Sequence, residues 1–217
     1  MSNNNNNTEH RLDNTPPQHI LDLVVGSTAA DWHQHPNGGG WVYRTAQVAE
    51  TAYVGPDAAV FGRAKVFETA AVCDNARIYG NAWVCGNAVF FDNAKVYDTA
   101  TVSGNAWIAD NARVYGNAVV SGRTKIFGRA KVCDNAKIFG DAEIYGNAKV
   151  SGSAVVCQKT RVCQYARVCD SAQIFERAMI FGFARIFGNA VVSNTARVYG
   201  DAVVGGDARV GGSERIY

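Results

Sequence analysis

Residues 114–120 read Val-Tyr-Gly-Asn-Ala-Val-Val and contain one unit of the repeat that decides the fold. An aliphatic residue recurs at every sixth position from Val42 to Ile216, and Phe90 is the one aromatic among these thirty positions. Four residues after each of the first twenty-nine stands a small side chain, which is Ala in 26 cases. The exceptions are Thr124, Thr160 and Glu214. A register this regular identifies a repeat protein.

A period of six fits neither simple element of secondary structure. A helix has 3.6 residues per turn and would spread every sixth residue around its circumference. A flat strand would bury every second residue. Each unit is therefore predicted to be a short strand followed by a turn. The aliphatic residue points inward, its two neighbours point outward, and the turn carries pairs such as Gly-Asn or Asp-Asn that tolerate positive φ.

The thirty aliphatic positions and the Ala column cover roughly four-fifths of the chain and resemble the hexapeptide-repeat superfamily. The Gly39-Gly40-Trp41-Val42 stretch is similar to the start of uncharacterised bacterial and phage members. The resemblance implies an all-β, single-domain, left-handed parallel β-helix with triangular coils of 18 residues. With no residue inserted between Val42 and Ile216, the chain has room for about ten coils. Relatives include acyltransferases, γ-class carbonic anhydrases and purely structural proteins, and many are trimers.

The repeat also predicts the organisation of the chain. Residues 1–19 contain five consecutive Asn and no apolar pattern, so we expect a disordered tail. Residues 20–40 are expected to form an N-terminal cap and a loop leading into the coils, with the apolar residues 20–25 covering the open first coil, because an open β-helix end is an edge that invites pairing. Residues 41–217 form the β-helix. No apolar run near the start is long enough for a membrane span or a signal peptide.

Histidine is missing from the coils, which weakens the enzymatic interpretations. Acyltransferases of this superfamily use a His as general base, and its carbonic anhydrases hold zinc with three His. The four histidines here all precede the coils; they are His10, His19, His33 and His35. Two neighbouring histidines are too few for zinc. The acyltransferase alternative, which depends on acyl-CoA and a site between subunits, therefore requires His35 or an acid such as Glu143 as the base. We expect no metal and no cofactor.

Cysteine placement predicts the compartment. All six occupy the outward slot after an aliphatic residue: Cys73, Cys85, Cys133, Cys157, Cys163 and Cys169. Two on the same face are separated by at least two coils, or about 9.6 Å, which is too far for a disulfide. Unpaired thiols on the surface predict a reducing, cytoplasmic location.

Sorting the outward positions by a period of 18 gives three faces, and the first face is cationic. A column of cations, which we call the cation column, consists of Arg77, Lys95, Arg113, Lys131, Lys149, Arg167 and Arg185. Its first three members have Asp74, Asp92 and Asp110 nearby, whereas the later ones have Arg129, Asn147, Tyr165 and Phe183. The predicted anion site comprises Arg129, Lys131, Lys149, Arg167 and Arg185, with Tyr165, Phe183 and Phe187 for stacking. The alternative is a solvated face on which Lys and Arg stems cover apolar strands.

The second face is weakly charged and is predicted to be an interface between copies of the chain. Its predicted contact residues are Trp83, Val119, Phe139, Val155, Phe175 and Val191. A long, flat apolar strip is typical of protein interfaces, although singly scattered surface hydrophobic residues are the alternative. Ice binding is a weaker alternative, because Lys137 interrupts any regular Thr array. The third face has no single chemistry.

Composition sets the limit on function. The chain has a formal charge of +2, and outside residues 1–40 there are 20 Lys and Arg against 15 Asp and Glu. That is mildly basic, short of a dedicated nucleic-acid binder. The sequence favours a non-enzymatic, rigid scaffold or binding module that presents flat faces to a protein, to itself as a homo-oligomer, or to a polyanion. An acyltransferase is the alternative.

Overall fold

The computed structural model describes residues 15–217 as an all-β parallel solenoid of ten coils. Thirty short strands recur every six residues from Trp41 onward, and each begins one residue before its aliphatic position. The predicted register is therefore confirmed along the whole solenoid. The left-handed winding stays a prediction.

Three sheets run along the solenoid, and they correspond to the three faces. The strands of the first sheet are Trp32–Gln34, Trp41–Tyr43, Ala59–Val60, Arg77–Ile78, Lys95–Val96, Arg113–Val114, Lys131–Val132, Lys149–Val150, Arg167–Val168, Arg185–Ile186 and Val203–Val204. The strands of the second are Gln47–Val48, Lys65–Val66, Trp83–Val84, Thr101–Val102, Val119–Val120, Lys137–Ile138, Val155–Val156, Gln173–Ile174, Val191–Val192 and Arg209–Val210. The strands of the third are Tyr53–Val54, Ala71–Val72, Val89–Phe90, Trp107–Ile108, Lys125–Ile126, Glu143–Ile144, Arg161–Val162, Met179–Ile180, Arg197–Val198 and Arg215–Ile216.

Within the solenoid, every strand pairs in parallel with the strands 18 residues before and after it. Lys131 faces Lys149 across one such pair, and Lys149 faces Arg167 across the next. The Lys131 amide donates to the Ala148 carbonyl at 2.9 Å, and the same pattern repeats from coil to coil. This register stacks chemically equivalent positions above one another, so each outward position becomes a continuous column.

The core is a ladder of aliphatic side chains closed by small residues at the corners. From Val54 to Val198 the aliphatic positions are fully buried, and so is the single aromatic, Phe90. From Ala52 to Ala196 the corner alanines are equally buried. Where Thr124 and Thr160 replace Ala, each hydroxyl donates to a backbone carbonyl three residues earlier, at 2.6 Å. The substitution therefore leaves no unsatisfied polar group in the core.

From Gly62 onward each corner turns through a residue with positive φ, two positions after the aliphatic residue. This residue is often Gly, for example Gly116 with φ of 68°, because a Cβ there would lie 2.8 Å from the backbone nitrogen of Asp134 in the next coil. Asp is also accommodated, for example Asp110 with φ of 58°. The Asp110 carboxylate accepts a hydrogen bond from the Gly128 amide at 2.8 Å, so the side chain ties one coil to the next.

The N-terminal segment covers the start of the first sheet. A short helix, Gln18–Leu21, leads through a turn of 3₁₀ helix at Ala29–Asp31 to the strand Trp32–Gln34, which pairs antiparallel with Trp41–Tyr43. The antiparallel strand occupies the edge that the first coil would otherwise expose.

The apolar part of the cap packs outside the coils. Ile20 is buried against Trp32, Trp41 and Ala59, all of which lie on the outer side of the first sheet. We expected the 20–25 segment to cover the open end of the first coil. It lies on the first face instead, because the antiparallel strand already occupies that edge. The helix begins at Gln18, two residues before the predicted start of the cap. Most of the predicted tail, residues 1–14, lies outside the described residues.

None of the helices described in residues 15–217 has the length and apolar character that crossing a bilayer requires.

Candidate anion-binding groove

The cation column lies on the first sheet because its members are the first residues of successive strands. Arg113, Lys131, Lys149 and Arg167 each precede an inward-pointing aliphatic residue, so their side chains project outward. Parallel strands are about 4.8 Å apart, which sets the spacing of the column. Stacked aromatic rings elsewhere on the solenoid repeat at 4.8 to 5.0 Å, in agreement with that spacing.

A groove runs between the cation column and the corner that precedes it. The depression has a volume of about 630 Å³, and we call it the basic groove. It is lined by Asn111, Arg113, Arg129, Lys131, Asn147, Lys149 and Arg167. The corner side contributes Asn111, Arg129 and Asn147, which stand one coil apart in a column of their own. The groove therefore presents five cationic side chains and two amides along roughly four coils.

Across the described residues 15–217, the cations of the basic groove have no acidic partners. Within residues 15–217 the ion pairs are Arg44–Asp31, Arg123–Asp141 and Arg161–Glu143, and none involves a residue of the groove. The nearest acids are engaged with the backbone. The Asp134 carboxylate accepts a hydrogen bond from the Gly152 amide at 3.0 Å, and the Asp110 carboxylate accepts one from the Gly128 amide in the same way. The groove is consequently a concentrated positive surface on a mildly basic protein.

The first cation of the column differs from the rest. The Arg77 side chain lies under the neighbouring corner, and the residue is only 8% exposed. Its guanidinium donates to the backbone carbonyls of Asp57 and Ala76. Burial lowers the pKa of Arg77, although an arginine remains charged at physiological pH. Arg77 is therefore part of the structural framework and is not available to a ligand.

Two exposed aromatic rings continue the corner side of the groove. Tyr165 follows Asn147 in the corner column and Phe183 follows Tyr165, one coil further on. The two rings stack with centroids 4.9 Å apart and an interplanar angle of 10°. Tyr165 is 52% exposed and Phe183 is 59% exposed. They form a flat aromatic surface beside Arg167 and Arg185.

A second aromatic column lies on the far side of the same strands. Phe61, Tyr79, Tyr97 and Tyr115 stack at 4.8 to 5.0 Å with nearly parallel planes, and all four are half-buried. Beyond Tyr115 the column continues with Cys133, which is buried although it occupies an outward slot. The column thus begins as a packed aromatic surface and continues through three small side chains, Cys133, Ser151 and Cys169, before Phe187.

The structure brings together most of the predicted anion site. Arg129, Lys131, Lys149 and Arg167 line the basic groove, and Arg185 extends the cation column one coil beyond it. Phe187 lies apart from them. It occupies the far column of the strand, where its ring lies so close to Gly205 that a Cβ there would be 2.3 Å from the ring.

The sequence interpretation missed Asn111, Arg113 and Asn147 as lining residues. Arg113 lines the groove although Asp110 precedes it on the adjoining corner; this carboxylate accepts a hydrogen bond from the Gly128 amide and keeps its negative charge. The sequence interpretation also placed Asp74, Asp92 and Asp110 in the same column as Arg129, although these acids stand one position earlier in their coils. In the structure the positions equivalent to Asp110 are Gly128 and Gly146, so the groove has glycine where the first coils have acids. Aligning the corners by steps of 18 residues would have revealed this.

A smaller basic depression of about 310 Å³ lies on the third face, where we had predicted no single chemistry. It is lined by Lys159, Arg161, Arg177, Met179, Thr195 and Arg197. One of its cations, Arg161, is paired with Glu143 at 3.0 Å.

The predicted interface residues all lie on the second face. Trp83, Val119 and Phe139 are exposed, whereas the other predicted contacts are half-buried; these are Val155, Phe175 and Val191. The Lys65 ammonium sits 5.3 Å from the centre of the Trp83 ring. This is a cation–π contact that covers part of the apolar surface.

The catalytic candidate, His35, is held inside the leading loop. It is 4% exposed, and its Nδ1 lies 3.3 Å from the amide nitrogen of Asn37. Neither basic depression is lined by a histidine. His33 is exposed, in the antiparallel strand. Among residues 15–217, no three His, Cys, Asp or Glu side chains are grouped as metal ligands would be.

All six cysteines are free, but their exposure differs from the prediction of surface thiols. Cys133 and Cys163 are buried, whereas the other four are half-buried. The short Cys133 side chain stands one coil above the Tyr115 ring, which covers it, and burial raises the pKa of its thiol. A small side chain in a column of larger ones is shielded even when it points outward.

Comparison with known families supports the repeat assignment. A family model described as the YdcK β-solenoid repeat matches residues 70–89, 108–122 and 142–158, about a quarter of the chain. All three segments lie within the coils. No curated protein matches the chain. The match fits a β-solenoid repeat protein, and the hexapeptide-repeat superfamily remains a resemblance.

Proposed function

We propose that this β-solenoid is a rigid, non-enzymatic binding module whose basic groove holds an anionic polymer. The observation that carries the proposal is the row of five cations in the groove, none of which is paired with an acid in residues 15–217.

The cation column is unfavourable without a counter-charge. Lys131, Lys149 and Arg167 stand directly opposite one another in adjacent strands, at about 4.8 Å. Like charges at this distance repel by about 1 kcal/mol in water, and by more where solvent is excluded. A row of phosphate or sulfate groups would replace this repulsion with attraction. The proposal therefore gives a physical role to a costly arrangement.

The backbone holds this arrangement in place before any ligand arrives. Each coil is hydrogen-bonded to the next along all three sheets, and the core beneath the groove is fully buried. The groove is open and extends over several coils, which suits a polymer that lies along the solenoid. Because the site is preorganised, little conformational entropy is lost on binding.

The direct test uses inorganic polyphosphate, which carries charge and no other recognition feature. We expect labelled polyphosphate to bind the wild-type protein, with an affinity that falls steeply as salt increases. The double variant Lys149→Glu, Arg167→Glu should weaken binding about 100-fold or more at low salt, because it reverses two charges at the centre of the groove.

A matched control has the same change in net charge on another face. Lys137→Glu with Arg209→Glu alters two exposed cations of the second face. This control should bind polyphosphate within about two-fold of wild type, apart from long-range screening effects. Equal losses in both double variants, or binding that does not depend on salt, would contradict the proposal.

We also propose that the second face mediates homo-oligomerisation. Its exposed Trp83, Val119 and Phe139 lie on one flat sheet, where an apolar surface favours a partner. The double variant Val119→Lys, Val155→Lys should dissociate the oligomer, and sedimentation should then give the mass of one chain. A mass that is the same before and after substitution would refute this interface.

Six free cysteines further support a reducing compartment such as the cytoplasm.

A further inference from the structure

The exposed aromatic pair beside the basic groove has no evident structural role. Tyr165 and Phe183 occupy a corner position where most other coils carry the usual turn residues, such as Asn111, Asn147 or Asp201. Asn and Asp favour turns because their side chains can bond to the local backbone, which Tyr and Phe cannot do. Among the stacked pairs in residues 15–217, this is the one in which both rings are more than half exposed. The two rings therefore leave apolar surface in water next to a cationic groove.

We propose that the anionic polymer is single-stranded nucleic acid, with phosphates along the cation column and bases stacked on the Tyr165–Phe183 pair. This inference rests on the proposed anion-binding function of the groove and adds the identity of the polymer. Single-strand binding proteins combine the same two features, a positive groove for the backbone and aromatic rings for the bases.

The corner column has a gap of suitable size for a base. Asn147 is a short side chain between Arg129 on one side and the Tyr165 ring on the other. Those two neighbours are two coils apart, or about 9.6 Å. A planar base that contacts both needs about 7 Å, since atoms pack at about 3.5 Å on each side, so the gap admits a base stacked on Tyr165 and the long Arg129 side chain must move in by about 2.6 Å to touch its other side. A base in this gap would stack on Tyr165, lie against the guanidinium of Arg129 and meet the amide of Asn147 at its edge.

The cation column matches a single strand in its spacing. Lys131, Lys149, Arg167 and Arg185 repeat at about 4.8 Å, somewhat more than the 3.4 Å rise per nucleotide of a stacked strand. A partly extended strand would place successive phosphates near successive cations. In a duplex the base faces are already stacked inside the helix, so the rings could not reach them. An anionic glycan has no planar aromatic base to stack on the rings.

The test separates charge from stacking by using two probes. A fluorescein-labelled oligothymidylate of about twelve nucleotides serves as the first probe, and labelled inorganic polyphosphate as the second. The variant Tyr165→Leu, Phe183→Leu keeps apolar bulk and removes both aromatic faces. By fluorescence anisotropy it should bind oligothymidylate about five-fold more weakly or worse, while its affinity for polyphosphate stays within about two-fold of wild type.

Two controls show that the effect is local. Tyr53→Leu with Trp107→Leu removes two exposed aromatic residues from the third face, away from the proposed interface, and should leave both affinities unchanged. The groove variant Lys149→Glu, Arg167→Glu should weaken binding of both probes. A complementary duplex of the same length should bind more weakly than the single strand and should not respond to loss of the two rings.

The outcomes distinguish the two proposals. If oligothymidylate binds equally well to wild type and to the Tyr165→Leu, Phe183→Leu variant while polyphosphate binds in the groove, the nucleic-acid inference is wrong and the anion-binding function stands. Equal affinity for duplex and single strand would also overturn the inference. If neither probe binds the wild-type protein, both proposals fail.

Discussion

The two halves of the first face share one backbone and differ in their surface chemistry. In coils that contain Asp74, Asp92 and Asp110, an acid stands at the corner before each cation. Of the four column cations that line the basic groove, Arg113 still has Asp110 before it, whereas the equivalent positions before the other three are Gly128, Gly146 and Gln164. Strand pairing, spacing and core are the same in both halves. This one column of corner residues therefore sets how much negative charge stands beside each cation.

The cations themselves also differ between the halves. Arg77 is buried, and backbone carbonyls satisfy its guanidinium. Arg167 occupies the same column five coils later and is exposed. The same residue type in the same repeat position thus has a structural role at one end and, in our proposal, a binding role at the other. The predictions below test this contrast.

Among the variants that test this contrast, the largest effect should come from giving the groove the acids of the first half. We expect Gly128→Asp with Gly146→Asp to weaken polyphosphate binding about ten-fold or more at low salt, since each new carboxylate stands near a cation of the groove. The corner must shift slightly, because a Cβ at Gly128 would lie 2.9 Å from the backbone nitrogen of Gly146. Asp92 and Asp110 show that this column accommodates Asp, with φ of 54° and 58°.

The matched control for this pair replaces the same glycines with Asn. The Asn side-chain oxygen can accept a hydrogen bond from the backbone amide of the next coil as an Asp carboxylate does, but Asn adds no charge. Affinity close to wild type in the Asn variant and a loss in the Asp variant would assign the effect to charge. The same loss in both variants would mean that the shape of the corner, and not its charge, controls binding.

Effects of moderate size should distinguish the role of Arg77 from that of Arg167. Arg77→Ala should lower the free energy of unfolding by about 1–3 kcal/mol, because it leaves the Asp57 carbonyl without its donor, whereas the Ala76 carbonyl keeps the hydrogen bond from the Ala59 amide. Polyphosphate affinity should not change. Arg167→Ala should leave stability nearly unchanged, weaken binding several-fold and reduce the slope of log affinity against log salt by about 0.7. Denaturant unfolding would measure the stability of each variant, and fluorescence anisotropy would measure its affinity for polyphosphate. Weaker binding with unchanged stability in Arg77→Ala, together with lower stability and unchanged binding in Arg167→Ala, would contradict the roles assigned to the two arginines.

The smallest effect concerns the half-buried aromatic column of the first half. Burial raises the pKa of Tyr79 to about 12, and a hydrogen bond with the Cys133 thiol raises the pKa of Tyr115. The folded state therefore holds these phenol protons more tightly than the unfolded state. Their contribution to stability should be complete below pH 10 and should be lost as pH rises from 10 towards 12.

The variant Tyr79→Phe isolates this contribution. It keeps the stacked ring and removes the titrating group, so its urea midpoint should fall less than that of wild type between pH 10 and 12. Parallel curves for the two proteins over this range would show that the Tyr79 phenol does not contribute.

The sequence was sufficient to predict the solenoid because a single periodicity determines the direction of every side chain. A residue such as Val132 must point inward, and Lys131 and Cys133 must then point outward. The same arithmetic placed Lys131, Lys149 and Arg167 in one column, and the pairing register confirms that placement. Four of the predicted anion-binding residues consequently line one groove.

The remaining features depend on side-chain packing, which the periodicity does not encode. The burial of Cys133 follows from the size of Tyr115 one coil away. The engagement of Asp110 with a backbone amide follows from the φ of its corner. The antiparallel strand Trp32–Gln34 lies before the repeat begins, so no periodic signal marks it.

The most direct test of the central claim is photocrosslinking to a single-stranded oligonucleotide that carries a photoreactive thymidine, followed by mapping of the linked peptides by mass spectrometry. We predict crosslinks in peptides that contain Tyr165 or Phe183, and their loss in the Lys149→Glu, Arg167→Glu variant. Crosslinks confined to the second or third face, or an unchanged pattern in that variant, would contradict the account.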